Sequence, residues 1–313
     1  MKCLFLIIFV LTGTKVFCQH IVVLDSTTQK PIPFATIILK NAGKAISGFY
    51  TGEDGRATIS QSGFEVAEFS CLGYETQTLS KGAINGIIDL KPKPIELDEL
   101  TISSIRLKDT LLGEYDEKRS NRIAIGSQNH MAIFFDNISG TDVYIKQVWL
   151  KLAKIKYNTA MRIHVYKRRD YIQKYYLPGN SDGQSYSYDS YIPDGDIYDQ
   201  NIIVYLKPDE KEAKLNLFDY KITLPNGGAF IGLEIIGYFN DKGEIVKTVS
   251  SKDATWIETH RALNDVYCQK LGVINGFWVN VNKQYRTDIT YVGKSLPDPK
   301  IFQTPSVGLL VGN

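Results

Sequence analysis

Short apolar runs of about four to eight residues, each closed by a turn, fill this chain, and almost none keeps a 3.6-residue period long enough for a helix. The class that follows is all-β. Between Gln19 and Pro92 the runs at 21–24, 34–39, 45–50, 56–59, 66–72, 75–79 and 86–90 predict about seven strands, the rhythm of a small sandwich. Gly52-Glu53-Asp54-Gly55 between two of them predicts a hairpin, because glycine supplies the positive φ of a tight turn. Further runs at 131–135, 143–152, 161–167, 202–206, 221–224, 229–236, 272–281 and 306–311 predict a second, larger sandwich over residues 129–313. Residues 93–128 are polar and charge-dense, notably over 104–128, and read as a linker. The one helical expectation falls between Asp253 and Leu271, where Trp256, Leu263 and Val266 could line a short helix.

Residues 1–18 read as a secretory signal cut before Gln19. Lys2 precedes an apolar run from Cys3 to Leu11, and Val16 and Cys18 stand at the −3 and −1 positions. The bulky Phe17 before Cys18 argues against a lipoprotein site. The expected location is therefore outside the cytoplasm: periplasmic, outer-membrane-associated or extracellular. No transmembrane segment is expected in the mature chain. Lys2 and Lys15 lie in the leader, so of 36 basic residues 34 remain, against 34 acidic ones. A neutral chain does not suit a general polyanion binder, and no nucleic-acid partner is expected.

Pro33-Phe34-Ala35-Thr36-Ile37, Thr51 with Asp54-Gly55-Arg56-Ala57-Thr58-Ile59, Phe69-Ser70-Cys71-Leu72-Gly73-Tyr74 and Ile88-Asp89-Leu90 carry a resemblance to the carboxypeptidase regulatory-like domain. The resemblance implies a seven-stranded, transthyretin-like (Ig-like) β-sandwich over residues 19–92. Bacteroidetes-type bacteria place it behind a signal peptide in many cell-envelope proteins. The chain departs from that pattern at its start, with His20-Ile21-Val22 where the family usually has Gly-x-Val. Glu96 to Ile102 resembles the linker that follows it. Residues 161–166, 217–225 and 228–234 resemble the C-terminal half of secreted proteins with the same front domain, which implies a jelly-roll-like sandwich without an assigned activity.

A zinc peptidase site would usually show His with Glu or His at +3 or +4. His20, His130, His164 and His260 all lack that spacing, and a site assembled from distant residues is not visible to it. A metallocarboxypeptidase is not expected, and the absence of a Gly-x-Ser-x-Gly elbow leaves Ser-His-Asp catalysis without support. His164 shares a strand face with Arg162 and Tyr166, read as the solvated face of a sandwich strand rather than a ligand face. Glu258, His260 and Asp265 read as ordinary charges on a surface helix or loop. Glu234 interrupts an apolar run and shares its face with Phe230, Gly232 and Ile236. It is either a carboxylate in a cleft or a structural group bonded to a neighbouring loop.

The segment from Tyr175 to Leu206 holds no Lys or Arg and reads as a long acidic loop. Its Tyr186, Tyr188, Tyr191 and Tyr198, with Glu234, are the candidate ligand contacts, since tyrosine rings and carboxylates together suit sugars. Asp194, Asp196 and Asp199 offer closely spaced oxygens for calcium, and no other cofactor is expected. Cys71 and Cys268 are either two buried thiols or one inter-domain disulfide. The function expected is an exported, non-catalytic envelope protein with an accessory or binding role toward a glycan or protein. The alternatives are a carboxylate-dependent hydrolase of glycans and a purely structural interaction module.

Overall fold

The computed structural model describes residues 19–93, 108–113, 115, 121–176, 185–240, 245–246, 251–260, 266–270, 278–280 and 304–312. The leader falls outside these residues, as does Asp265. No α-helix occurs among them, and no helix is long and apolar enough to cross a membrane. The protein is all-β and built from two β-sandwiches.

The first comprises β1 (Gln19–Asp25), β2 (Thr36–Asn41), β3 (Lys44–Tyr50), β4 (Arg56–Ile59), β5 (Val66–Ser70), β6 (Gln77–Ser80) and β7 (Ile87–Leu90). One sheet has the order β4-β1-β7 and the other β3-β2-β5-β6. Strand alternation sends Ile21 and Val23, Ile37 and Leu39, Ala67 and Phe69, and Ile88 and Leu90 into one shared core. The Asp54-Gly55 turn is present, with Gly55 at φ 72°, but it closes no hairpin. It carries the chain from β3 in one sheet to β4 in the other, because β3 pairs with β2 and β4 with β1. The hairpin is β2–β3, turned by Ala42 (φ 48°) and Gly43 (φ 74°), the double positive φ of a type I′ turn.

The second sandwich comprises β8 (Thr110–Leu112), β9 (Asn121–Ile125), β10 (Asn129–Phe135), β11 (Val143–Lys154), β12 (Asn158–Tyr176), β13 (Ser185–Asp196), β14 (Ile202–Leu206), β15 (Glu212–Asn216), β16 (Thr223–Leu224), β17 (Ala229–Phe239), β18 (Thr255–His260), β19 (Val266–Lys270), β20 (Val279–Asn280), β21 (Thr304–Pro305) and β22 (Val307–Gly312). One sheet runs β13-β12-β17-β10-β19-β20, with β14 also on β12. The other runs β21-β18-β11-β22-β8, with β15 and β16 on β11 and β9 on β18. Val148, Leu150 and Leu152 of β11 meet Ile163 and Val165 of β12 and Ile231, Leu233 and Ile235 of β17 in the core between the sheets.

Three expectations are corrected here. The segment read as a linker contributes β8 to β22 and β9 to β18, since Leu111-Leu112 and Ile123-Ala124-Ile125 give apolar strand faces inside charged sequence. The expected helix at 253–271 is the strands β18 and β19: Thr255, Ile257 and Thr259 alternate inward, a period of two. The acidic loop is largely the long strand β13 paired with β12, followed by β14.

Strand β17 is buried along both faces from Ala229 to Tyr238. Its inner face meets the opposing sheet. Its outer face is covered in part by the first sandwich: Phe34 packs with Ala160 and Ile236, and Tyr50 and Phe239 lie against them. Gly73 of the first sandwich abuts the backbone of Asp199, where a Cβ would come within 2.6 Å of the carbonyl oxygen.

Candidate functional site

Strands β10, β17 and β12 lie side by side, and their register sets a row of polar groups across the outer face of the sheet. His130 and Arg162 both stand opposite Glu234, and His164 stands opposite Gly232. Glu234 is 1% exposed. Arg162 Nη1 donates to its Oε2 at 2.9 Å, and His164 Nε2 lies 2.9 Å from the same oxygen. His130 Nε2 lies 2.7 Å from Oε1, and the Tyr50 hydroxyl donates to that oxygen from the first sandwich. His130 Nδ1 is buried without a hydrogen-bond partner. His164 Nδ1 lies 3.1 Å from Asp196 Oδ1.

Arg162 spans the junction. Its Nε donates to Asn201 Oδ1 at 2.7 Å and its Nη2 to the Phe34 carbonyl at 2.5 Å. Phe34 holds that carbonyl in place from a left-handed backbone conformation, φ 55°, which a bulky residue seldom adopts. The cluster therefore joins the two sandwiches.

Burial raises the Glu234 carboxyl, but Arg162 and then His130 more than offset this and hold it well below the usual carboxylate range. Burial opposes protonation of His164; Asp196 and then Glu234 outweigh it and push this group up to about 9. Burial and then Glu234 raise the Tyr50 phenol well above its ordinary value. The Cys71 thiol is likewise pushed up by burial.

Gly232 makes room for this row. A Cβ there would meet Tyr166 Cε2 at 2.5 Å and His164 Cβ at 2.8 Å, because the His164 and Tyr166 rings stack across it with centroids 4.9 Å apart. Gly232→Ala should cost about 1–3 kcal/mol by overpacking, read as a lower denaturation midpoint with an unchanged slope.

The expected site residues are dispersed around this row. Tyr191 packs on Phe134, centroids 4.8 Å apart, beneath the Arg168 guanidinium. Tyr198 packs edge-on against Tyr220, and burial pushes its phenol up to about 12. Tyr186 and Tyr188 lie on β13 opposite Tyr175 and Gln173; their side chains fall outside the described residues. The calcium triad does not assemble. Asp196 faces His164, Asp194 lies 4.0 Å from Arg169, and Asp199 lies 3.8 Å from Lys93. Nor does the inter-domain disulfide form: Cys71 is a free, buried thiol in the first sandwich, and Cys268 lies on β19 opposite Met131. The face of Arg162, His164 and Tyr166 is buried rather than solvated, because Tyr50 and Phe34 cover one end and Trp278 the other. His260, expected on a surface, is buried on β18 with Nδ1 3.1 Å from Ser306 Oγ.

Residue spacing missed His130. The strand read from Met131 begins at Asn129, and His130, Ala132 and Phe134 alternate away from the core. Among the described residues, the group that brings three metal-ligating atoms together is His130, His164 and Glu234, within 4.8 Å of one another.

A cleft of about 460 Å³ opens at the junction of the sandwiches. Asp25, Phe34, Glu53 and Tyr74 line it from the first, and Asn201 and Tyr205 from the second. Tyr74 donates to Asp25 Oδ2 at 3.0 Å and Tyr205 to Glu53 Oε1 at 2.8 Å. Burial and these carboxylates push both phenols up to about 12.

No family model matches this chain, and no curated protein matches it.

Proposed function

We propose that this chain is an exported, non-catalytic accessory protein of a Bacteroidetes-type cell envelope, and that it holds a glycan in the cleft between its sandwiches. One observation carries the reading: the junction pairs the exposed Tyr205 ring and the half-buried Tyr74 with carboxylates in a cleft of about 460 Å³, a size suited to a few sugar units. Tyr205 is half exposed and can stack on the apolar face of a sugar ring; Asp25 and Glu53 accept bonds from its hydroxyls. Clefts at domain junctions are favoured ligand sites. The resemblance of the front sandwich to the carboxypeptidase regulatory-like domain supports the envelope setting.

The test is calorimetric titration of the mature chain with an oligosaccharide panel, with chromatography of the sugars afterwards. At least one oligosaccharide should bind and be recovered intact. Tyr205→Ala should weaken binding about 2- to 10-fold, the worth of one aromatic stack. A panel with no binder sinks the glycan reading, and shortened products sink the non-catalytic one.

A further inference from the structure

The polar row on the outer face of the second sandwich supports an inference independent of the cleft. We infer that His130, His164 and Glu234 form a binding site for a divalent transition-metal ion of the zinc class. Two imidazoles and a carboxylate are a donor set that zinc takes with an open fourth position. Here three adjacent strands supply them, with ligating atoms within 4.8 Å of one another. Both rings direct Nε2 toward the carboxylate, at 2.7 Å for His130 and 2.9 Å for His164. Donors held about 2.0–2.2 Å from a tetrahedral ion stand somewhat farther apart than that, so a small opening of the row admits it.

The surroundings have the form of an outer shell. His164 Nδ1 is engaged by Asp196, the carboxylate–histidine arrangement that fixes a ligand ring and leaves Nε2 for the metal. Arg162 and Tyr50 hold the Glu234 carboxylate from the first sandwich's side. His130 supplies the clearest signal. Its Nε2 lies 2.7 Å from Glu234 Oε1, while its Nδ1 is buried without a hydrogen-bond partner, a costly state for a polar atom. His130 is the most open of the three at 13% exposure, with Trp278 edge-on at 6.3 Å, and marks the way in.

The test uses the mature chain, purified without an affinity tag, stripped with chelator and titrated with Co²⁺ and Zn²⁺. One ion per chain should bind, Co²⁺ should give the visible absorption of a low-coordinate site, and zinc should raise the melting temperature progressively with its concentration. Asp196→Asn should weaken zinc about 10- to 100-fold, and His130→Ala by more than that. His20→Ala, exposed on β1, should change nothing. His130→Ala keeps the test sound if Glu234 or His164 variants fail to fold, since its side chain is the least buried of the three, at 13% exposure. Failure of the stripped wild type to take up either ion overturns the inference. So does uptake that survives His130→Ala.

Discussion

Arg162→Ala should destabilise the protein by about 3–5 kcal/mol, the cost of leaving one member of a buried ion pair without its partner. The arginine is 3% exposed and donates to Glu234, Asn201 and the Phe34 carbonyl, so its loss strands groups on both sandwiches. Any release of the Phe34 backbone from its left-handed conformation, worth about 1–3 kcal/mol of strain, would offset part of that cost. Arg162→Lys should recover little, because an ammonium cannot reproduce the fork of three directed donors. Adding Glu234→Leu to Arg162→Met should recover part of the loss, since well-packed apolar groups often replace a buried pair at little cost. Urea unfolding of the three variants measures this. If Arg162→Ala lies within about 1 kcal/mol of wild type, which is the range of a surface pair, the cluster is not what joins the sandwiches.

The two sandwiches were legible in the sequence because each strand announces its own buried face. Ile37 and Leu39, or Ile231 and Leu233, alternate inward whatever lies beyond them. The same alternation placed Glu234 beside Phe230 and Gly232, and His164 beside Arg162 and Tyr166. What covers that face was not legible. Tyr50 and Phe34 reach it from more than a hundred residues away, and no local period encodes a docking contact. Hence a row that reads as solvated is buried, and histidines with no ligand spacing meet across strand ladders. Composition misled where it outweighed pattern. The acidity of 175–206 suggested a loop, although Tyr186-Ser187-Tyr188-Asp189 pairs residue by residue with β12. Charged neighbours hid Leu111-Leu112 and Ile123–Ile125 in the same way.

The second large effect is expected outside the polar row, at Gly228. The chain enters β17 through Pro225-Asn226-Gly227-Gly228, with both glycines at positive φ, 102° and 86°. Gly228 N donates to the Pro225 carbonyl at 2.9 Å, and the ladder to β10 begins at once with Ala229 opposite Phe135. A Cβ on Gly228 would run into the Phe135 carbonyl oxygen and come within 2.8 Å of Phe134 Cζ. Backbone atoms of a paired strand cannot step aside, so alanine bears both the left-handed strain, about 1–3 kcal/mol, and the overpacking, about 1–3 kcal/mol. Gly228→Ala should therefore cost about 2–6 kcal/mol, the sum of those ranges. Gly140, at φ 76° with nothing within 4 Å of its would-be Cβ, is the control. Gly140→Ala should cost only the strain. The consequence reaches the polar row as well. If β17 relieves the clash by sliding one residue along β10, its side chains exchange faces and Glu234 turns into the apolar core. A slip of that kind is too costly to be adopted intact, so the variant should lose the row instead. The histidine ring-proton NMR signals of His130 and His164 would shift or broaden in Gly228→Ala and hold steady in Gly140→Ala. Equal destabilisation by the two alanines would show that the approach of Phe135 does not constrain this turn, and that the register of β17 is set elsewhere.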